Sequence, residues 1–188
     1  KIIALSEKIG IVPKLGIRVK LSAKGTGKWA TSGGSDAKFG LKISELLAAI
    51  DLLKEHDLLD HVKLLHFHIG SQITVGMGAY RAAYARLAEL VRAIRAQGLP
   101  IERVDCGGGL GIAYRDEIAP APAALAGAIK AELGALGLPV MLEPGRWIAG
   151  PAGVLLSRVI LQKQGAARRF VVLDAAMVRL VFPVTAVA

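Results

Sequence analysis

The sequence predicts an α/β fold, a run of parallel βαβ units followed by a short β tail. Three observations predict it. Short β-like runs alternate with helical patterns as far as about Gly150. Each of those runs has one apolar face and one face that carries a charged or imidazole side chain near its C-terminal end. Beyond Gly150, two further β-like runs follow each other with no helical pattern between them.

In order, "KIIALSEKIG" reads as the end of a helix closed by Gly10. "LGIRVKLS" is the first strand, followed by a Gly-, Lys- and Ser-rich loop from Ala23 to about Lys38 that contains Trp29. "ISELLAAIDLLKEH" places Ile43, Leu46, Leu47, Ile50 and Leu53 at helical spacing, with Ser44 near the cap. "VKLLHFHIG" is the second strand. "AYRAAYARLAELVRAIRAQG" is an amphipathic helix with Tyr80, Tyr84, Leu87, Val91 and Ile94 on one stripe and Gly98 as its stop. "IERVDCGGG" is the third strand. "APAALAGAIKAELGALG" is a helix with Pro122 in its first turn and Gly137 past its end. "LPVMLEPGR" is the fourth strand. "VLLSRVILQKQ" and "RFVVLDAAM" are the two strands of the tail.

Length and composition narrow the function classes. The chain has 188 residues and is 53% hydrophobic, enough for one domain with a substantial core. The most apolar tract, residues 169–188, carries Asp174, Arg179 and Pro183, which argues against a membrane span. Cys106 is the single cysteine, so no internal disulfide forms and a cytoplasmic location is expected. The net charge of +9 is spread over helix faces and loops, with no basic run interleaved with aromatics. That is a solvated basic surface suited to small anions, with no nucleic-acid partner expected.

Strand alternation sorts the candidate site residues. Ile17 and Val19 oppose Arg18 and Lys20; Leu65, Phe67 and Ile69 oppose His66 and His68; Val104 and Cys106 oppose Asp105 and Gly107; Val140 and Leu142 oppose Met141 and Glu143. A parallel sheet buried on both sides reads apolar on both faces, so a recurring polar face is informative. In α/β barrels chemistry sits at the C-terminal strand ends, and Arg18, His66, His68, Asp105 and Glu143 fit that placement. The glycine run in "DCGGGLGI" suits backbone N–H groups approaching an anion, yet it matches neither the dinucleotide fingerprint nor the phosphate loop ending in G-K-[ST]. H-x-H on a strand with Asp105 as a third donor would also suit a metal-dependent hydrolase, although no further His-rich segment accompanies it. Cys106 alternates away from the polar face and reads as a small core residue.

Four motifs in order, "DAKFGL" (36–41), "HFHIGSQ" (66–72), "DCGGGLGIAY" (105–114) and "EPGRWIAGPAGVLL" (143–156), extended by "RFVVLDAAM" (169–177), resemble the pyridoxal-phosphate-dependent amino-acid decarboxylases of the alanine-racemase-like fold. The resemblance is composite. "GKWATSGGSDAKFGL" and "LLHFHIGSQ" resemble biosynthetic arginine decarboxylases, whereas "DCGGGLGIAYRDE", "EPGRWIAGPAGVLL" and "RFVVLDAAM" resemble the diaminopimelate decarboxylases of lysine biosynthesis. A chimera joined near Gln72 and a divergent homologue both account for this.

The resemblance implies the C-terminal half of a TIM-type (β/α)8 barrel with a short β tail: a half-barrel over 1–150, and over 151–188 the start of the family's C-terminal β domain. It implies pyridoxal 5'-phosphate as cofactor and, as substrate, a small molecule that is an amino acid. By resemblance, His68 stacks on the cofactor ring and Ser71 bonds its phosphate. Gly107, Gly108 and Gly109 bind the phosphate through backbone N–H groups, with Asp105 at the head of their loop. Glu143 pairs with the pyridine nitrogen, Arg146 lies beside the phosphate and Arg18 near the ring. His68 and Glu143 are the expected catalytic pair, and no metal is expected.

Some family features are missing from these residues. Nothing resembles the family's cofactor-lysine segment Y-A-x-K-A or its later C-E-S-x-D segment, and Val178, Arg179 and Phe182 depart from its D-A-x-M-N-D-L-I-R-P pattern. Lys20 is the one lysine expected on an inward strand face. The open edges of four parallel strands imply a homodimer or another barrel-completing association. The alternative is a non-catalytic engineered or truncated half-barrel that binds phosphate or the cofactor, or self-associates.

Overall fold

The computed structural model describes residues 1–21, 38–114, 116 and 118–175. Most of the Ala23–Lys38 loop with Trp29, the start of "DAKFGL", and Val178, Arg179 and Phe182 lie outside the described residues. Two compact units are present, Lys1–Trp147 and Ile148–Ala188.

The first unit is built on four parallel strands, β1 (Leu15–Arg18), β2 (Val62–His66), β3 (Arg103–Asp105) and β4 (Val140–Met141), in the order β1-β2-β3-β4. Helix α1 (Ile2–Ile9) precedes β1, and α2 (Ile43–Glu55), α3 (Gly78–Ala96) and α4 (Pro122–Leu133) connect successive strands. This is the expected α/β order. Sequential parallel neighbours need a crossover, and each crossover here contains a helix.

Helix α3 buries its whole expected stripe, Tyr80, Tyr84, Leu87, Val91 and Ile94, together with Ala83 and Ala88. Phe67 of the sheet meets Tyr84 edge-to-face, with ring centroids 6.0 Å apart. Gly98, at φ 95°, ends the helical path, and the Arg95 guanidinium ties the helix to Ile101 O at 2.6 and 3.2 Å. Helix α4 begins on Pro122, and the chain leaves through a single 3-10 turn closed by Gly137 at φ 62°. Helix α1 ends at Gly10 in the left-handed region. It buries no residue of its own.

Helix α2 departs from expectation in two ways. Its start is held by Glu45, whose carboxylate accepts the Lys42 N–H at 2.7 Å, and Ser44 makes no cap. Helical residues begin at Ile43, so Ser44 already lies inside the first turn, while Glu45 is placed to reach back. The buried stripe is also narrower: Leu46, Ile50 and Leu53 are in the core, whereas Ile43 and Leu47 remain largely exposed.

Leu65, Phe67 and Ile69 of the second strand run, with Val104 and Cys106 of the third, are buried against the helices. Burial raises the Cys106 thiol to about 12, aided by the neighbouring Asp105 carboxylate, so it is an inert core residue. The Tyr80 and Tyr84 hydroxyls are buried without a hydrogen-bond partner among the described residues, and burial pushes both phenols up.

Strand β1 ends at Arg18, and Lys20 lines a cleft of about 380 Å³ with Leu21, Ile43, Arg86, Glu89, Leu90 and Ala93, on the side of helices α2 and α3. Val19 and Leu21, on either side of Lys20, are both buried, and Val19 N–H still donates to His66 O at 2.8 Å, so alternation runs on past the end of β1.

A short helix α5 (Gly145–Ala149) follows β4. In the second unit, β5 (Val159–Gln164) and β6 (Arg169–Leu173) form an antiparallel hairpin, closed where Gly165 N–H donates to Arg168 O at 2.8 Å. Asp174 accepts hydrogen bonds from Arg158 N–H and then from Ser157 Oγ–H, each at 2.9 Å, which hold its carboxyl below the usual range.

Candidate functional site

Strand register assembles the site. Arg18 pairs with His66, His66 with Asp105 and Asp105 with Met141. Parallel neighbours share a pleat, so Arg18, His66, Asp105 and Met141 form one row on one face of the sheet. The backbone ladder continues beyond the strands: Phe67 N–H donates to Asp105 O at 3.1 Å, Cys106 N–H to Met141 O at 2.9 Å and Glu143 N–H to Gly107 O at 2.8 Å. A second row, His68, Gly107 and Glu143, therefore stands two residues further toward the C-terminal ends.

The glycine loop is locked into this row. Gly107 adopts φ 63°, a conformation that favours glycine, and donates its N–H to Asp105 Oδ1 at 2.9 Å. A Cβ at Gly107 would stand 2.5 Å from Phe67 O and 2.8 Å from His68 Nδ1, so only glycine lets this turn lie on the second strand. Gly108 packs against the Glu143 carbonyl in the same way and donates its N–H to His68 Nδ1 at 3.1 Å. That bond makes Nδ1 an acceptor and leaves the imidazole proton on Nε2. Burial, and then the Arg18 charge, hold the His68 pKa below its usual value, so the ring is neutral near pH 7.

Of the three glycine amides expected at a phosphate, two thus bond inside the protein, to Asp105 and to His68. Ser71 is half-buried in the turn after β2, just before Gln72. Arg146 lies on α5, where its guanidinium donates to the Tyr114 hydroxyl at 3.3 Å. Arg18 stands over the Phe39 ring at 5.1 Å. Glu143 is half-exposed, and its Oε2 lies 3.5 Å from His66 Nε2.

Two residues were not singled out by sequence reasoning. Gln72, at φ 57°, clamps the next loop with both ends of its amide: Nε2 donates to Ile112 O at 2.6 Å, and Oε1 accepts Ile112 N–H at 3.2 Å. Its place at the end of "HIGSQ" was the available signal. Tyr114 closes "DCGGGLGIAY" and meets Arg146. Contacts across loops leave no periodic trace in a sequence.

The H-x-H pair does not converge on one point. The donor atoms that approach one another are those of His66, Asp105 and Glu143, within 4.8 Å, while His68 Nδ1 turns to Gly108.

Comparison with known proteins identifies the family to which this fold belongs. Residues 1–150 match the family model for the pyridoxal binding domain of pyridoxal-dependent decarboxylases. The biosynthetic arginine decarboxylase of Citrifermentans bemidjiense is 59% identical over 61% of this chain and 18% of its own length. That of Geobacter sulfurreducens is 63% identical over 50% of this chain and 15% of its own. Among solved structures, diaminopimelate decarboxylase from Helicobacter pylori complexed with L-lysine superposes with a TM-score of 0.77 at 30% identity, covering 94% of this chain and 44% of that one. The biosynthetic arginine decarboxylase of Campylobacter jejuni gives 0.65 at 25% identity, covering 78% and 25%. The chain spans less than a fifth of the length of the curated relatives it matches.

Proposed function

The chain belongs to the pyridoxal-dependent decarboxylases, and on that footing we propose that it is the half-barrel of such an enzyme that holds the phosphate and ring nitrogen of pyridoxal phosphate, acting on a basic or diamino acid of the arginine or diaminopimelate type. One observation carries the reading. Glu143 N–H bonds Gly107 O, and Gly108 N–H bonds His68 Nδ1, so carboxylate, glycine turn and imidazole form one continuous surface at the C-terminal strand ends.

The residues fit the cofactor by their chemistry. Glu143 offers a half-exposed carboxylate to a protonated ring nitrogen. Neutral His68 presents an uncharged ring face beside it, and its N–H on Nε2 remains available to a polar group. Gly109 and Ser71 supply donors to an anion, with Arg146 and Arg18 contributing positive charge. When bound, the cofactor supplies an electron sink for the carbanion left by loss of CO₂. Glu143 would keep the proton on the ring nitrogen through that charge-assisted contact.

The arginine-decarboxylase alignment of 114 residues is longer than the stretch up to Gln72, so that likeness continues past this point. This favours a divergent homologue over a chimera joined there. The open edges of β1 and β4, with Met141 and Leu142 exposed beside the latter, support association with a further set of strands, either a second copy or another segment of a longer chain. No described helix is long and apolar enough to cross a membrane. A cytoplasmic location belongs to the same proposal.

Equilibrium dialysis with pyridoxal phosphate tests the reading. The parent chain is expected to bind it in competition with inorganic phosphate, and H68A and E143Q are each expected to weaken binding about tenfold or more, the loss of one charge-assisted or stacking contact. Equal binding by parent and both variants would refute it. Borohydride treatment followed by peptide mapping then reports whether any lysine of this chain becomes attached.

A further inference from the structure

The cofactor reading leaves one buried group unused, Nε2 of His66. It has no hydrogen-bond partner among the described residues, and at 3.5 Å from Glu143 Oε2 it is too distant for a well-formed bond. Asp105 is the one charged residue among the described buried ones, and its Oδ1 accepts a single N–H, that of Gly107. The donor atoms of His66, Asp105 and Glu143 lie within 4.8 Å of one another. The buried Asp105 carboxylate and the buried His66 Nε2, with one N–H donated to them among the described residues, are costly to hold side by side unless a cation completes the set, and the half-exposed Glu143 stands ready as a third ligand.

The donor set and its spacing select the cation. One imidazole nitrogen and two carboxylates suit a borderline divalent ion rather than a soft one. Ligands about 2.0–2.2 Å from a tetrahedral ion stand roughly 3.4 Å apart, and the His66–Glu143 separation of 3.5 Å already has that bite. Asp105 is fixed by its turn, whereas the half-exposed Glu143 side chain has room to adjust. Three protein ligands leave the fourth position to water.

We propose that His66, Asp105 and Glu143 form a binding site for a divalent transition cation of the Zn²⁺ class, and that the ion and the cofactor's ring nitrogen compete for Glu143. The competition rests on the cofactor reading; the cation site does not. The ion would cap the carboxylate that the ring nitrogen needs, so free metal would act as an inhibitor at the base of the site.

Calorimetric titration of the full chain with Zn²⁺, and visible spectroscopy with Co²⁺, test this. The expected result is one cation per chain with ligand-field bands for Co²⁺. H66Q and E143Q should each weaken binding at least tenfold with unchanged circular dichroism, while H56Q and H61Q should leave it unaltered. Pyridoxal phosphate should raise the apparent Zn²⁺ dissociation constant. Parent-like binding by H66Q and E143Q, or no binding by the parent at 1 mM Zn²⁺, would overturn the site. Zn²⁺ binding that H66Q removes but pyridoxal phosphate leaves unchanged would uphold the cation site and overturn the competition. Cofactor binding without cation binding would overturn the cation site alone.

Discussion

Replacing Gly107 by alanine should unfold the site from its centre. Gly107 sits at φ 63°, where an L side chain costs about 1–2 kcal/mol. The new Cβ would also lie 2.5 Å from Phe67 O and 2.8 Å from His68 Nδ1. The first is backbone of the core strand run, so relief requires the turn to move, and overpacking of this kind costs about 1–3 kcal/mol. Together these give a loss of about 2–5 kcal/mol. Gly127→Ala is the matched control: it lies in the exposed interior of α4 with nothing within 4 Å of its Cβ, and it should gain about 0.5–1 kcal/mol. Urea denaturation followed by circular dichroism reads both, with midpoints moving in opposite directions. A Gly107→Ala midpoint within error of the parent would show that the turn is not pressed onto the second strand as described.

Other expectations are more local. Leu87 is fully buried on α3, and Leu87→Ala should cost about 2–5 kcal/mol, measured as a fall in the urea midpoint with a largely unchanged slope. His68 titrates near 6.5 when unfolded and lower when folded. The unfolded chain therefore takes up the proton first, and the stability this group contributes is full above about pH 6.5 and lost as pH falls toward the folded value. H68Q should flatten that part of the stability–pH curve, and an unchanged curve would show that His68 is not held neutral by burial. Cys106, raised to about 12 and 1% exposed, should resist thiol reagents at pH 8 in the native chain and react promptly in urea.

How much of this was legible beforehand depends on the kind of physics involved. Burial of one helical face repeats along a sequence, so α3 and its five-residue stripe could be read directly. The polar strand face was legible for the same reason, since alternation places His66, His68, Asp105 and Glu143 together wherever strands pair in register. The Ser44 cap failed because capping depends on where the first helical residue falls, and a shift of one or two positions gives the role to Glu45. Hydrogen bonds between loops, such as Gly108 to His68, were not legible at all. A glycine run announces that backbone will approach something closely without saying what, and here two of its amides turn to the protein itself.

The two-ended grip of Gln72 on Ile112 has an implication for variation and for loop exchange. The amide reads only main-chain atoms at position 112, so the identity of that side chain is irrelevant to the join and is free to drift. Gln72 has no such freedom, since few other side chains present a donor and an acceptor on one planar head at that reach. Anyone grafting the segment after the second strand from another barrel must carry this glutamine across, or the neighbouring segment loses its mooring.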